Sequence, residues 1–274
     1  MFDDTKISAP DICVLIPCYN DTRGLIVSIN SIHYYTAKLV VLVVDDGSAE
    51  PVNKEWLYKQ LSITVNIMVL SINQNAGITN ALNKGLEYIY THYQPRYIAR
   101  LDCGDTCSPD RFYRQAAFFE NNPSIDLVGS WCYFNNRLTG SSYKFTTPTQ
   151  HNAIRQSMYF RNVFIHPTVM WRAAALKEAR YPGLYPHAED YGLFYDIVLN
   201  KKAAIINEFL VTCDINPQGI SFKNRFQQLV SRLHVIRDYG TSKWWIAAGT
   251  VKLLLLMALP HQMVFNIKNR LFKA

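Results

Sequence analysis

The sequence has no Gly-x-Gly-x-x-Gly after its first apolar run and no Gly-x-x-x-x-Gly-Lys-Ser/Thr. The first absence removes the main support for a dinucleotide site, and the second excludes a P-loop. Its six cysteines (Cys13, Cys18, Cys103, Cys107, Cys132 and Cys213) form no Cys-x-x-Cys pair, and no histidines stand at zinc-ligand spacing. They read as reduced thiols, which suits a cytoplasmic location. The N-terminus, MFDDTKISAP, lacks the charged-then-apolar layout of a secretory signal. Charge is sparse: 18% of the 274 residues are charged and 49% are hydrophobic. That composition supports a sizeable core and excludes general disorder. The apolar stretch Trp244–Leu259 contains Lys252 and stops at Pro260. It is shorter than the roughly 20 residues that cross a bilayer.

The charge that is present leans positive, with a formal net charge of +7. Such a balance favours anionic partners such as phosphates, nucleic acid or an anionic membrane. The basic residues are not interleaved with aromatics in a recognisable module, so nucleic acid is not expected as a partner.

Along the first half, apolar runs alternate with helical patterns. ICVLIPCYND, KLVVLVVDDGS, TVNIMVLSIN and RYIARLD read as buried parallel strands. TRGLIVSINSIHYYT, NKEWLYKQL, GITNALNKGLEYIYTHY and SPDRFYRQAAFFENN read as helices, the last with Ser108 as N-cap and Pro109 in the first turn. Four such alternations predict a doubly wound α/β sheet. Right-handed crossovers then align the strand C-termini along one edge, where ligands bind. Pro17–Asn20, Asp45–Ser48, Asn73–Gly77 and Asp102–Asp105 all fall on that edge. Asp102 and Asp105 either cap the next helix or hold something charged. Asp45 and Asp46 also suit a plain turn with Gly47. Four polar clusters on one edge exceed what capping requires. From about residue 125 the pattern changes: IDLVGSWCYF, FIHPTVMW and AAIINEFLVTCDI read as strands and EDYGLFYDIVLNK as a helix.

In order along residues 12–221, VLIPCYND, VVDDGS, NQNAGITNALNKGL, ARLDCGDTCSPDRF, FIHPTVMWR and HAEDYGLFYDI resemble the motif series of family 2 glycosyltransferases with the GT-A fold. The resemblance implies a Rossmann-like, doubly wound mixed α/β sheet with a helical C-terminal extension. It divides the chain into a catalytic domain over 1–217 (donor half about 1–110, acceptor half about 111–217) and a basic helical segment over 218–274. It implies an inverting transfer from a nucleotide diphosphate donor to a glycan hydroxyl, as in O-antigen, capsule or lipopolysaccharide synthesis. A UDP-sugar is the expected donor and dTDP-rhamnose the alternative.

By position, Pro17, Tyr19, Asp46, Asn75, Gly77, Arg100 and Asp102 would hold the nucleotide. Tyr19 would offer an aromatic face, Asp46 would accept the pyrimidine N–H, and Gly77 would admit a close backbone approach. Asp102 and Asp105 would hold a divalent cation, Mg²⁺ or Mn²⁺, against the diphosphate. Here the sequence departs from the usual Asp-x-Asp-Asp: Gly104 stands where that pattern has its second aspartate. A non-catalytic nucleotide-sugar binder is the alternative this departure suggests. Asp190 would be the general base, with Glu189 lining the site and His166 and Arg172 meeting the diphosphate or acceptor. At the C-terminus, Trp244 and Trp245 precede the apolar stretch, and Lys268, Arg270 and Lys273 follow it. Upstream, Lys223, Arg225, Arg232 and Arg237 add positive charge. The segment 244–274 therefore reads either as an interfacial anchor or as a helix packed on the domain. The anchor reading implies a lipid-linked acceptor and a peripheral position at the inner face of a bacterial plasma membrane.

Overall fold

The computed structural model describes residues 10–35, 38–136, 140–215 and 224–259. The two most apolar runs form β1 (Ile12–Cys18) and β2 (Leu39–Asp45), with every residue buried. Continuous β-branched sequence without alternation is what a strand covered on both faces requires. β3 (Asn66–Ser71) and β4 (Tyr97–Arg100) complete a parallel set in the order β3-β2-β1-β4. Helix α1 (Thr22–Asn30) starts where the Asp21 carboxylate accepts the Gly24 N–H at 2.9 Å. Helix α2 (Lys54–Gln60) starts in the same way on Asn53. Helix α3 (Ile78–His92) buries Ala81, Leu82, Leu86 and Ile89 as their spacing predicts. These elements sit where the sequence places them.

Beyond β4 the sheet turns mixed. β8 (Met170–Arg172) runs antiparallel between β4 and β6 (Leu127–Asn136), and β9 (Ala203–Asp214) runs parallel to β6. Two short strands that periodicity did not reveal complete it among the described residues. β5 (Thr106–Cys107) pairs with β9, and β7 (Ser141–Phe145) pairs with β6. Helix α4 (Arg111–Asn121) begins later than expected, because the Ser108 N–H is tied to Leu210 O of β9 at 2.9 Å. The strand expected over FIHPTVMW shrinks to its last residues. Pro167 has no N–H for a ladder, and residues 165–168 close a 3-10 turn through Thr168 N–H to Ile165 O at 2.8 Å. Helices α5 (His151–Ser157) and α6 (Glu189–Asn200) cover this half.

The C-terminal segment is a helical hairpin, α7 (Arg225–Tyr239) and α8 (Lys243–Ala258). It packs on the domain. Thr241 and Ser242 N–H groups both donate to the Tyr159 hydroxyl at 3.1 Å, and Ile236 and Leu253 are buried. Gly249 rests on the Tyr159 carbonyl, where a Cβ would lie only 2.0 Å from the oxygen. The same α8 leaves Trp244 86% and Leu255 61% exposed. Packing and an exposed apolar face thus coexist. No helix among the described residues is long and apolar enough to cross a membrane. The boundary expected at 217/218, Lys223 and the basic residues Lys268, Arg270 and Lys273 lie outside the described residues.

Candidate active site

The four polar clusters do meet, and hydrogen bonds fasten them. Asn20 N–H donates to Ser48 Oγ, and Asn20 Oδ1 accepts Ala49 N–H, each at 2.9 Å. Asp46 is buried and accepts Ala76 N–H on Oδ1 and Gly77 N–H on Oδ2, each at 3.0 Å. Asp45 serves the neighbouring turn, accepting Ser48 N–H at 3.0 Å and Val52 N–H at 2.8 Å. Pro17 is buried, and its carbonyl accepts Cys103 Sγ at 3.3 Å. Tyr19 is 52% exposed and Asn75 is also exposed.

The expectation for Gly77 changes. A Cβ there would meet nothing within 4 Å, and the backbone, at φ +85°, is what favours glycine. The close approach belongs to Gly47 instead, where a Cβ would lie 2.5 Å from Asn75 N.

Arg100 is the hub of the edge. Its guanidinium is wholly buried and donates to Leu15 O, to Asp102 and, at 3.2 Å, to His166 Nε2. Tyr181 hydroxyl lies 2.8 Å from the same nitrogen. Desolvation, reinforced by the Arg100 charge, holds His166 well below the usual imidazole range, so it is neutral. His166 therefore orients Arg100, with its Nε2 already shared. The Asp102 side chain keeps an open flank, 38% exposed, while paired to Arg100.

Asp105 turns away. It is buried, its Oδ1 accepts Asp214 N–H at 2.8 Å, and burial together with the Asp102 charge pushes its carboxyl well up. The expected Asp102–Asp105 metal pair thus has one member buried and fastened to β9 and the other with an open flank. Among the described residues, no three His, Cys, Asp or Glu side chains group as a metal set. A hard cation here would have Asp102 as its protein ligand, with substrate phosphates and water completing its shell. The Gly104 N–H is tied to Gly24 O and Ser28 Oγ, which anchors the loop on α1.

The structure brings Glu189 and Asp190 to the same place, at the start of α6, within the field of Asp102. Asp190 Oδ1 accepts Tyr191 N–H at 2.7 Å and Oδ2 accepts Asn162 Nδ2 at 2.9 Å. Burial raises its carboxyl, opposed by these hydrogen bonds and by the Arg232 charge from α7. Glu189 is 8% exposed, and its Oε2 has no hydrogen-bond partner among the described residues. Burial first, then the Asp190 charge, pushes it up to about 7.

Asn162 and Tyr181 escaped sequence reasoning because they lie in irregular segments without periodicity. Arg232 was visible only as charge. Its position three residues after buried Leu229 and four before buried Ile236 puts it on the buried face of α7, a signal the sequence does hold.

Arg172 is not brought to the site. It stands opposite Tyr97, at the other end of β4, and donates to Ile125 O at 2.9 Å and Phe119 O at 2.6 Å. A shallow depression lined by Ser124, Asp126 and His151 opens at that end too, away from these carboxylates.

Glu189 makes stability pH-dependent. The unfolded side chain releases its proton near 4.5, while the folded one holds it to about 7. In that window the folded state binds more protons, so stability falls as pH rises, and the loss is complete above about 7. Glu189→Gln removes the titration. The variant is expected to exceed the wild type by about 1–3 kcal/mol at pH 8 and to lose the advantage near pH 4.5. Unfolding temperatures of both proteins across pH 4–8 check this, and parallel curves refute it.

Comparison with known proteins gives the family. The profile described as Glycosyl transferase family 2 matches residues 13–178. The chain is 30% identical to the amylovoran biosynthesis glycosyltransferase AmsE of Erwinia amylovora, over 82% of this chain and 84% of that protein. It is 28% identical to the O-antigen biosynthesis glycosyltransferase WbnJ of Escherichia coli, over 75% and 78% of the two chains. Among solved structures, S. aureus TarS 1–349 in complex with UDP-GlcNAc superposes with a TM-score of 0.64 at 16% identity, covering 89% of this chain and 71% of that one. This likeness shows that the mixed sheet is the GT-A fold. With the profile spanning more than half of the sequence, and a relative of matching extent beside it, the chain belongs to glycosyl transferase family 2 and is a glycosyltransferase.

Proposed function

We propose that this glycosyltransferase moves a sugar from a UDP-sugar to a hydroxyl of a lipid-linked glycan, with inversion, in building a bacterial cell-surface polysaccharide. O-antigen, capsule and lipopolysaccharide are the products of this class, and dTDP-rhamnose is the alternative donor. The observation that carries the reading is the meeting of Asp102, Glu189 and Asp190 at one sheet edge whose loops are hydrogen-bonded together. The names of AmsE and WbnJ support the polysaccharide class.

In this reading Asp190 takes the proton of the acceptor hydroxyl as the oxygen bonds to the anomeric carbon. The bond from that carbon to the diphosphate oxygen breaks, and the nucleoside diphosphate leaves with its electron pair. A single displacement inverts the centre. A divalent cation, bound at Asp102, would neutralise charge on the departing diphosphate. Asp46 has one lone pair per oxygen beyond those given to Ala76 and Gly77, enough for a pyrimidine N–H. Tyr19 would lie against the base. Exposed Trp244, Trp245, Leu254 and Leu255, with Lys243 and Lys252 on the same helix, would seat α8 in an anionic interface at the cytoplasmic side.

A thermal-shift screen of UDP- and dTDP-sugars, with and without Mn²⁺ or Mg²⁺, tests the donor. A UDP-sugar at 100 times its Kd is expected to stabilise the fold by about 2.7 kcal/mol. Donor binding without any sugar transfer supports the non-catalytic alternative, and no shift with any nucleotide sugar defeats both readings. The same protein is expected to sediment with anionic vesicles at low salt. Full retention in the supernatant refutes the membrane part.

A further inference from the structure

Three cationic side chains gather around residues 160–162, the run that leads to Asp190. Arg161 comes from the loop after α5, Arg232 from α7 and Lys252 from α8. Lys252 Nζ donates to Phe160 O at 3.3 Å and stands 5.7 Å over that ring, while Arg161 stands 5.3 Å over the Phe145 ring. The next residue after Arg161, Asn162, is the one bonded to Asp190. A single run, residues 160–162, therefore links the ammonium to the general base. Arg161 and Arg232 both act on Lys252, lowering its pKa on top of the effect of burial. Among the described residues no carboxylate lies at ion-pair distance from any of the three. Asp190 is the one acid whose charge reaches Arg232.

Arg161 and Arg232 are half-buried and Lys252 is exposed, and cations partly withdrawn from water without an ion-pair partner favour an anion. The three cations outnumber Asp190, the acid whose charge reaches Arg232. Two guanidiniums and an ammonium suit phosphoryl oxygens in particular, since arginine grips them in bidentate fashion. The cluster adjoins the exposed apolar residues of α8, so an anionic head placed here has an apolar surface beside it.

We infer that Arg161, Arg232 and Lys252 form a subsite for a diphosphate, seated beside the acceptor end of the reaction. The inference rests on the glycosyltransferase reading and adds the substrate's anionic group to it. A diphosphate can come from two sources: the lipid carrier of the acceptor or the donor nucleotide.

Calorimetric titration of the full-length protein with farnesyl diphosphate, UDP and inorganic pyrophosphate separates them. Arg161→Gln/Lys252→Gln and Arg232→Gln remove charge, and Arg232→Lys and Lys252→Arg keep it. Loss of a charge-assisted contact is expected to weaken diphosphate binding by about tenfold per side chain. The charge-keeping variants should retain most of the affinity and show the same unfolding temperature. Loss for farnesyl diphosphate with UDP unchanged supports the acceptor source, and loss for UDP supports the donor source. If wild type binds UDP and no variant weakens any probe, the subsite is wrong and the glycosyltransferase reading stands. If wild type binds no UDP, the donor reading itself fails.

Discussion

Replacing Asp190 with asparagine is expected to lower kcat by about 10²–10⁴-fold, the usual worth of a positioned general base. Donor KM should stay within about twofold. Asparagine keeps the shape of aspartate and can still accept the Tyr191 N–H, so the start of α6 is preserved. It cannot take a proton. Both carboxylate oxygens are already oriented, one by Tyr191 and one by Asn162, so a lone pair on each faces elsewhere in a fixed direction. Burial raises the Asp190 carboxyl, which makes it a stronger base than a surface aspartate, while its hydrogen bonds and the Arg232 charge oppose that rise. Initial rates with a UDP-sugar, set beside UDP affinity, measure the effect. Unchanged turnover with donor still bound would assign the base to another residue, with Glu189 the nearest candidate.

The second large effect is structural. Arg100→Met is expected to lower the unfolding temperature by about 10 °C. Removing one partner of a buried ionic network costs about 3–5 kcal/mol, and each kcal/mol is about 2–4 °C in a domain of this size. Methionine fills the methylene volume but takes the charged donor from three acceptors: Leu15 O, His166 Nε2 and the Asp102 carboxylate. Asp102 can hydrate through its open flank, so most of the penalty falls on the two enclosed partners. Adding Asp102→Asn should therefore recover only a few degrees. Melting curves by circular dichroism decide the matter. A drop under about 3 °C would show that the hub is not holding the edge together.

What could be read from residues alone follows the range of the interactions. β1 and β2 are continuous apolar runs and announce themselves, as does the buried face of α3. Asp46, Asp102 and Asp190 were identifiable through ordered motifs, and the structure gathers their loops on one edge. The expectations that changed depended on partners far along the chain. Asp105 is held by Asp214, 109 residues away, and nothing near Asp105 signals that contact. Arg172 follows the His166 turn, so its sequence position pointed to the site. But β8 runs antiparallel to β4, and each residue after the turn moves farther from the ligand edge. Strand direction was the missing information, and a three-residue strand carries too little pattern to reveal it. Arg232 needed both the helix phase of α7 and the docking of the hairpin.

The adjacent carboxylates Asp45 and Asp46 divide their labour, one holding Ser48 and Val52 and the other Ala76 and Gly77. Two walls of this loop cluster thus hang from one peptide unit. Thermal breathing has to carry both walls together, because neither can swing out while its carboxylate stays put. Those four amides should exchange with deuterium at a common opening free energy, as one cooperative unit.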